Sequence, residues 1–322
     1  MKYIITGGAG FIGCNIAREL VRQKKQAKSR TDQWSSTRII ILDNLSTGKM
    51  ENIADLKNDV EFIEGDIRNL ELLEKIFKGA DFVLHQAALG SVPRSVEDPI
   101  NTHENNATGT LNVLIAARDN KVKRVIFASS SSVYGGATKG KNKERSKPDP
   151  LSPYAASKLM CENYMTIFNN IFNLETVILR YFNVYGPYQS PDSEYAAVIP
   201  LFIKAASNNQ PPKIFGDGNQ SRSFTFVEDV VSANLAACHT PKADEKIMNI
   251  GGNRITSINK IWKIITKIMN TETKPEYAPA RTGEIYHSAA DISRAKKYLD
   301  YKPRYGIKEG LEKTLEWYIN KI

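Results

Sequence analysis

The 322-residue sequence predicts an α/β protein: a doubly wound parallel sheet with helices on both faces, joined to a smaller, irregular α/β domain. Three observations predict it. Short β-branched runs alternate with amphipathic stretches through the first half of the chain. A glycine-rich turn follows the opening strand. Beyond Tyr181 the alternation gives way to closely spaced turns.

Taken in order, Lys2–Thr6, Arg38–Asp43, Val60–Glu64, Phe82–His85, Arg124–Ser129 and Thr176–Tyr181 read as buried strands. Between them, Phe11–Lys24, Leu70–Phe77, Asn101–Asp119 and Pro153–Phe172 read as helices. Such strand–helix–strand units wind a parallel sheet by right-handed crossovers. Gln23–Thr37 is polar and basic and reads as a surface loop; Thr138–Pro150 is a second polar stretch, rich in Lys and Pro. Further helices are expected at Ala197–Ser207, Glu228–His239, Ser257–Met269 and Ile307–Ile322. Residues 1–182 then form the sheet domain, with 224–256 returning to it. Residues 183–223 and 257–322 form a substrate domain over the carboxyl edge of the sheet, where ligands of open α/β sheets bind.

Composition narrows the classes. Lys plus Arg is 44 and Asp plus Glu is 35, a net charge of +9. The excess is spread in short runs without a nucleic-acid module, so no nucleic-acid partner is expected. No apolar run is long enough for a membrane span. Cys14, Cys161 and Cys238 are scattered and form neither a metal spacing nor a disulfide framework, and the four histidines are scattered too. The chain opens directly on a strand. A reducing cytoplasm and no metal are the expectations.

Gly7, Gly10 and Gly13 in Thr6-Gly7-Gly8-Ala9-Gly10-Phe11-Ile12-Gly13 join the first strand to the first helix with the spacing GxxGxxG. Glycines allow the tight turn and a close approach of backbone to a pyrophosphate. The free N–H groups of the helix start, at Phe11 and Ile12, then point at that phosphate. This is the signature of a Rossmann-type dinucleotide site. Asp43, followed by Asn44, ends the second strand. A carboxylate there accepts both adenine-ribose hydroxyls and repels a 2′-phosphate, which favours NAD over NADP. Twenty-nine residues stand between Gly13 and Asp43, where about 20 is usual, and the Gln23–Thr37 loop accounts for the excess.

Tyr154 and Lys158 form a YxxxK pair, and i and i+4 share one helix face. A phenol titrates near 10 and is a poor base at neutral pH. A lysine cation one turn away and a positive nicotinamide ring would lower it.

GxxGxxG with a downstream YxxxK resembles the short-chain dehydrogenase/reductase superfamily, and TGGAGFIG resembles its extended, NAD-dependent epimerase/dehydratase branch, which acts mostly on nucleotide sugars. The resemblance implies that Asp66 and Ile67 hold the adenine, and that Gln86, Ala87 and Ala88 leave room for the cofactor's diphosphate and ribose. It assigns Asn106 and Phe182 to the cofactor site as well. Tyr154 and Lys158 contact the nicotinamide half, and His85 packs behind it. The serine-rich string before Val133-Tyr134-Gly135 implies Ser130 as the third catalytic group, with Ser131 beside it. Dehydratases of the family carry Asp-Glu just before VYG, and decarboxylases carry Glu. Here Ser131 and Ser132 stand there and cannot serve as acid or base, which leaves epimerisation.

On the substrate side, Arg180–Pro187 resembles the family's RYFNVYGP, which places Asn183 on the sugar diphosphate. Arg222 and Arg281 match two arginines that grip the pyrophosphate. Gly90–Ser95 and Tyr195–Pro200 resemble the UDP-N-acetylglucosamine 4-epimerase subgroup, and imply Ser91, Arg94, Ala197 and Val198 beside the substrate. Seven residues past Arg281 stands Ser288, where related UDP-galactose 4-epimerases carry a bulky residue that restricts the pocket to plain hexoses; a serine leaves volume for a 2-acetamido group. The reading is an NAD-dependent 4-epimerase of UDP-GlcNAc and UDP-GalNAc. The alternatives are a UDP-glucose/UDP-galactose or UDP-glucuronate 4-epimerase, and a non-catalytic NAD-binding scaffold. The resemblance also implies a homodimer through the helices Asn101–Asp119 and Pro153–Phe172.

Overall fold

The computed structural model describes residues 1–27, 34–136, 140–191, 197–280 and 286–319. The first half runs β1 (Lys2–Thr6), α1 (Phe11–Lys25), β2 (Arg38–Asp43), β3 (Glu61–Glu64), α2 (Leu70–Ile76), β4 (Phe82–His85), α3 (Val92–Glu97), α4 (Pro99–His103), α5 (Gly109–Asp119), β5 (Arg124–Ser130), α6 (Pro153–Phe172) and β6 (Glu175–Tyr181). The second half runs β7 (Val184–Tyr185), α7 (Val198–Ser207), β8 (Lys213–Phe215), β9 (Ser221–Ser223), β10 (Thr225–Phe226), α8 (Val227–His239), β11 (Lys246–Ile250), β12 (Ile255–Ser257), α9 (Ile258–Met269), β13 (Glu276–Ala278), β14 (His287–Ser288), α10 (Ser293–Leu299) and α11 (Ile307–Ile319).

Seven strands form one parallel sheet in the order β11-β6-β5-β4-β1-β2-β3. The order reverses direction at β1, so the loops after β1 and β4 part there and open a crevice. Strands such as Ile39–Leu42 are apolar on both faces because both faces are covered. One face buries residues of α1, α8 and α10, and the other those of α2, α5 and α6. A third core forms from Phe202 and Ile203 of α7, Ile261, Trp262 and Ile265 of α9, and Leu311 and Leu315 of α11.

Three differences from the sequence reading have local causes. Lys246–Ile250, within the stretch expected to return to the sheet, adds a seventh strand beside β6. The single helix expected at Asn101–Asp119 is divided by a π-helical turn, Glu104–Thr108, between α4 and α5. There the Asn106 side chain turns inward to clamp Leu89, and the Asn105 amide donates back to the Asn101 carbonyl at 2.9 Å. The loop expected at Gln23–Thr37 begins later, because α1 continues to Lys25, and Trp34 is held in it by stacking on Tyr3 at 6.1 Å between ring centroids.

α6 carries the YxxxK pair and is placed by its start. Ser152 accepts the Ala155 N–H at 3.1 Å, and Pro153 occupies the first turn. Among the described residues, no helix is long and apolar enough to cross a membrane.

Candidate active site

The carboxyl ends of the central strands open into one cleft of about 760 Å³. On the β2 side it is lined by Gly7, Gly10, Phe11, Ile12, Gly13, Asp43, Asn44 and Ile67, with Gln86, Ala87 and Ala88 across from them. On the β5 side Ser130, Ser131, Tyr154 and Lys158 line it, and Ser91, Arg94, Asn183, Ala197, Arg222 and Ser288 complete the wall.

The glycine turn is shaped by backbone crowding. Gly7 has φ +68°, and a Cβ there would lie 2.6 Å from the Ala87 nitrogen. A Cβ on Gly13 would lie 2.2 Å from the Gly7 carbonyl oxygen. Gly10 is less confined, with its nearest contact at 3.2 Å. α1 has no acidic residue in its first turn, so its N–H groups face the cleft without a competing carboxylate. Asp43 is buried, and its carboxylate accepts backbone N–H groups from Ala9 at 3.0 Å, from Leu45 at 2.9 Å and from Gly10. Burial pushes its carboxyl up, against the pull of those N–H groups. The carboxylate keeps acceptor capacity for a ribose hydroxyl. Backbone nearly touching backbone at the turn and a held carboxylate on the neighbouring strand fit a diphosphate and an adenosine ribose.

At the other end of the β1–β5 step, Lys158 Nζ donates to the Ala128 carbonyl at 2.8 Å. Burial lowers its pKa to about 8. Tyr154 lies one turn before it, hydrogen-bonded by Ser130. The protein alone does not depress this phenol: burial raises it, and the Ser130 hydrogen bond pulls the other way. Beneath the pair, Arg180 grips Glu162 through two bonds of 2.8 and 2.6 Å, and Ser129 donates to the same carboxylate. His85 is fully buried between Thr6 and Thr110 at 2.7 and 2.9 Å, and burial drives its pKa to about 3. It is a neutral bracing group, as expected.

Four expected site residues do not line the cleft. Asp66 turns to Arg68 and Asn44, which hold its carboxyl near 2. Asn106 braces the loop after β4, accepting the Leu89 N–H at 2.8 Å and donating to Ser157. Phe182 is buried against Tyr134, with ring centroids 6.0 Å apart. Val198 begins α7 behind Ala197. Arg281 lies outside the described residues. The cleft also takes in residues the sequence reading did not single out: Gln189, Ser190, His287, Asn142 and Tyr181. Tyr181 donates to Asn234 of α8 at 3.0 Å. No local motif announces such partners, since they meet only through the fold.

Fold and cleft together define a dinucleotide-binding protein in which Ser130, Tyr154 and Lys158 meet on one wall of the cleft. The chain belongs to the NAD-dependent epimerase/dehydratase family, whose model matches residues 3–251. It is 40% identical over 319 residues to a putative UDP-glucose 4-epimerase of Methanocaldococcus jannaschii, covering 98% of each chain. It is similar to the UDP-N-acetylglucosamine 4-epimerase of Methanobrevibacter ruminantium M1 in complex with UDP-N-acetylmuramic acid, at 38% identity and a TM-score of 0.92 over 100% of this chain and 99% of that one. It is also similar to the UDP-glucuronic acid 4-epimerase of Bacillus cereus in complex with UDP-glucuronic acid and NAD, at 33% identity and a TM-score of 0.90 over 100% of both chains. The cofactor is NAD.

Proposed function

We propose that the protein is a UDP-sugar 4-epimerase that interconverts UDP-GlcNAc and UDP-GalNAc. The observation that carries the hexosamine reading is Ser288. It lies in the cleft wall on β14, in register with Arg222 of β9, and its small side chain leaves room for a 2-acetamido group. Ala197 and Ser91, also small, line the same cleft.

The chain's own groups divide the work. The N–H groups at Phe11 and Ile12 and the Asp43 carboxylate hold the cofactor, with Asn44, Ile67 and Gln86–Ala88 around it. Arg222 and Asn183, with Arg281, hold the sugar diphosphate. Tyr154 Oη takes the proton of the sugar 4-hydroxyl, and Ser130 donates a hydrogen bond to that same oxygen. Lys158 keeps positive charge beside the phenolate. NAD, when bound, supplies the oxidation and re-reduction at C4. The 4-keto sugar turns about its diphosphate linkage so that the opposite face of C4 is the one re-reduced, and Tyr154 returns the proton to the 4-oxygen. Ser131 and Ser132, just before Val133-Tyr134-Gly135, offer no second acid or base for elimination of water or loss of carbon dioxide.

We also assign residues 183–223 and 257–322 to the substrate side of the chain. A homodimer through the Asn101–Asp119 stretch and α6 accounts for exposed Met160, Ile167 and Ile171 on α6; light scattering that gives one chain mass excludes it. Parallel assays with UDP-GlcNAc, UDP-glucose and UDP-glucuronate test the substrate. Turnover of UDP-GlcNAc supports the reading, and turnover of UDP-glucose or UDP-glucuronate alone overturns the hexosamine assignment.

A further inference from the structure

Tyr188 stands in the chain segment that leads from β7 to Gln189 and Ser190 in the cleft wall. Its φ is +71°, a left-handed conformation that bulky residues rarely adopt; among the described residues it is the one aromatic side chain with positive φ. Its ring is held on two sides. The Arg18 guanidinium lies 3.8 Å from the ring centroid, and the Trp317 ring of α11 packs at 4.8 Å. The backbone on either side is tied down as well: Asn15 donates to the Pro187 carbonyl at 3.1 Å, and the Tyr318 hydroxyl donates to the Gln189 carbonyl.

Arg18 also reaches the cofactor side. It donates to the Asn52 carbonyl at 2.6 Å and pairs with Asp55. The Asn52 amide in turn donates to the Ala9 carbonyl, inside the glycine turn, at 2.8 Å. One side chain therefore ties the glycine turn to the segment carrying Gln189 and Ser190, behind the cleft and without touching a ligand.

The geometry points to the Arg18–Tyr188–Trp317 stack as a positioning latch: it holds the Gln189–Ser190 segment against the sugar-nucleotide half of the cleft, in register with the cofactor half. A left-handed tyrosine persists only where its surroundings over-determine it, and here the surroundings are the stack together with the Asn15 and Tyr318 hydrogen bonds to the flanking carbonyls. This inference rests on the UDP-hexose reading for its kinetic consequence, though not for its structural one.

Three variants test it, each on the full chain with its NAD. Tyr188→Gly removes the ring and suits the left-handed backbone. Arg18→Met removes the cation. Tyr188→Phe keeps the stack. Hydrogen exchange of peptides spanning residues 186–191 needs no substrate: it quickens at least tenfold in Tyr188→Gly and Arg18→Met and stays at the parent rate in Tyr188→Phe. Steady-state kinetics then show KM for the UDP-hexose raised roughly tenfold in the first two, the size of one partly desolvated cation–π contact. In those two variants kcat stays within about threefold of the parent and the NAD content is unchanged, a split that a merely structural role would not produce. Unchanged exchange in Tyr188→Gly overturns the latch whatever the substrate is. Quickened exchange with unchanged KM overturns its role in substrate positioning. A parent enzyme that turns over no UDP-hexose fails the functional reading instead, and exchange still decides the latch.

Discussion

Replacing Asp43 with Asn tests the nucleotide preference at its physical source. Asp43 is 7% exposed, so its charge acts across a poorly solvated gap. Two unit charges 4 Å apart repel by about 4 kcal/mol at an effective dielectric of 20, roughly a thousandfold in affinity. That is the expected penalty on the 2′-phosphate of NADP, and Asp43→Asn should remove most of it. The same change has a cost in stability. Both carboxylate oxygens accept backbone N–H groups, and the amide of Asn must turn its NH2 toward one of them. An orphaned donor there costs about 1–3 kcal/mol. NAD affinity should fall about tenfold, as charge-assisted bonds to the ribose become neutral ones. Calorimetric titration of NAD and NADP into both proteins, with the nucleotide released on denaturation identified by mass, reads the preference. If the variant keeps a thousandfold preference for NAD, the carboxylate is not its origin.

Other expectations follow from the same geometry. Ser288→Tyr fills the cleft wall and should cut turnover of UDP-GlcNAc about a hundredfold while sparing UDP-glucose; equal losses on both would count against the steric argument. Lys158 is protonated less readily in the folded chain than in the unfolded one, so from pH about 8 to 10.5 the unfolded state binds more protons and stability rises with pH. Urea unfolding should show wild type gaining up to about 3 kcal/mol relative to Lys158→Met across that window, and a flat difference contradicts the lowered lysine. Glu162→Gln leaves the Arg180 charge buried at 2% side-chain exposure without its counter-ion. A loss of about 3–5 kcal/mol in the same assay is expected, and a loss below about 1 kcal/mol would mean the pair is dispensable.

The parts of this protein legible in its sequence are those whose causes are local. β2 could be bounded because Ile39–Leu42 is apolar throughout, as a strand covered on both faces must be. The glycine turn and the YxxxK helix carry their spacing in consecutive residues, and Ser152-Pro153 marks where α6 begins. What was not legible is tertiary. Asn106 sits where a cofactor contact was expected, but its amide is consumed by Leu89 and Ser157, partners 17 and 51 residues away in the chain. Phe182 follows a strand end and faces Tyr134 because Ile250 of β11 holds its backbone at 3.0 Å. Gln189 reaches the cleft through a left-handed tyrosine that no propensity predicts. The lysine cation and a nicotinamide ring together are expected to depress the phenol; in the chain alone, burial of both groups opposes their charged forms.

The central claim is that the Tyr154 oxygen moves the proton of a hexose 4-hydroxyl. Its direct measurement is kcat of Tyr154→Phe on the UDP-sugar that the parent enzyme epimerises, with NAD content and UDP-sugar affinity measured on the same sample. The account predicts a fall of about a thousandfold or more with cofactor and sugar nucleotide still bound. A variant that binds both and turns over within about tenfold of the parent would contradict it.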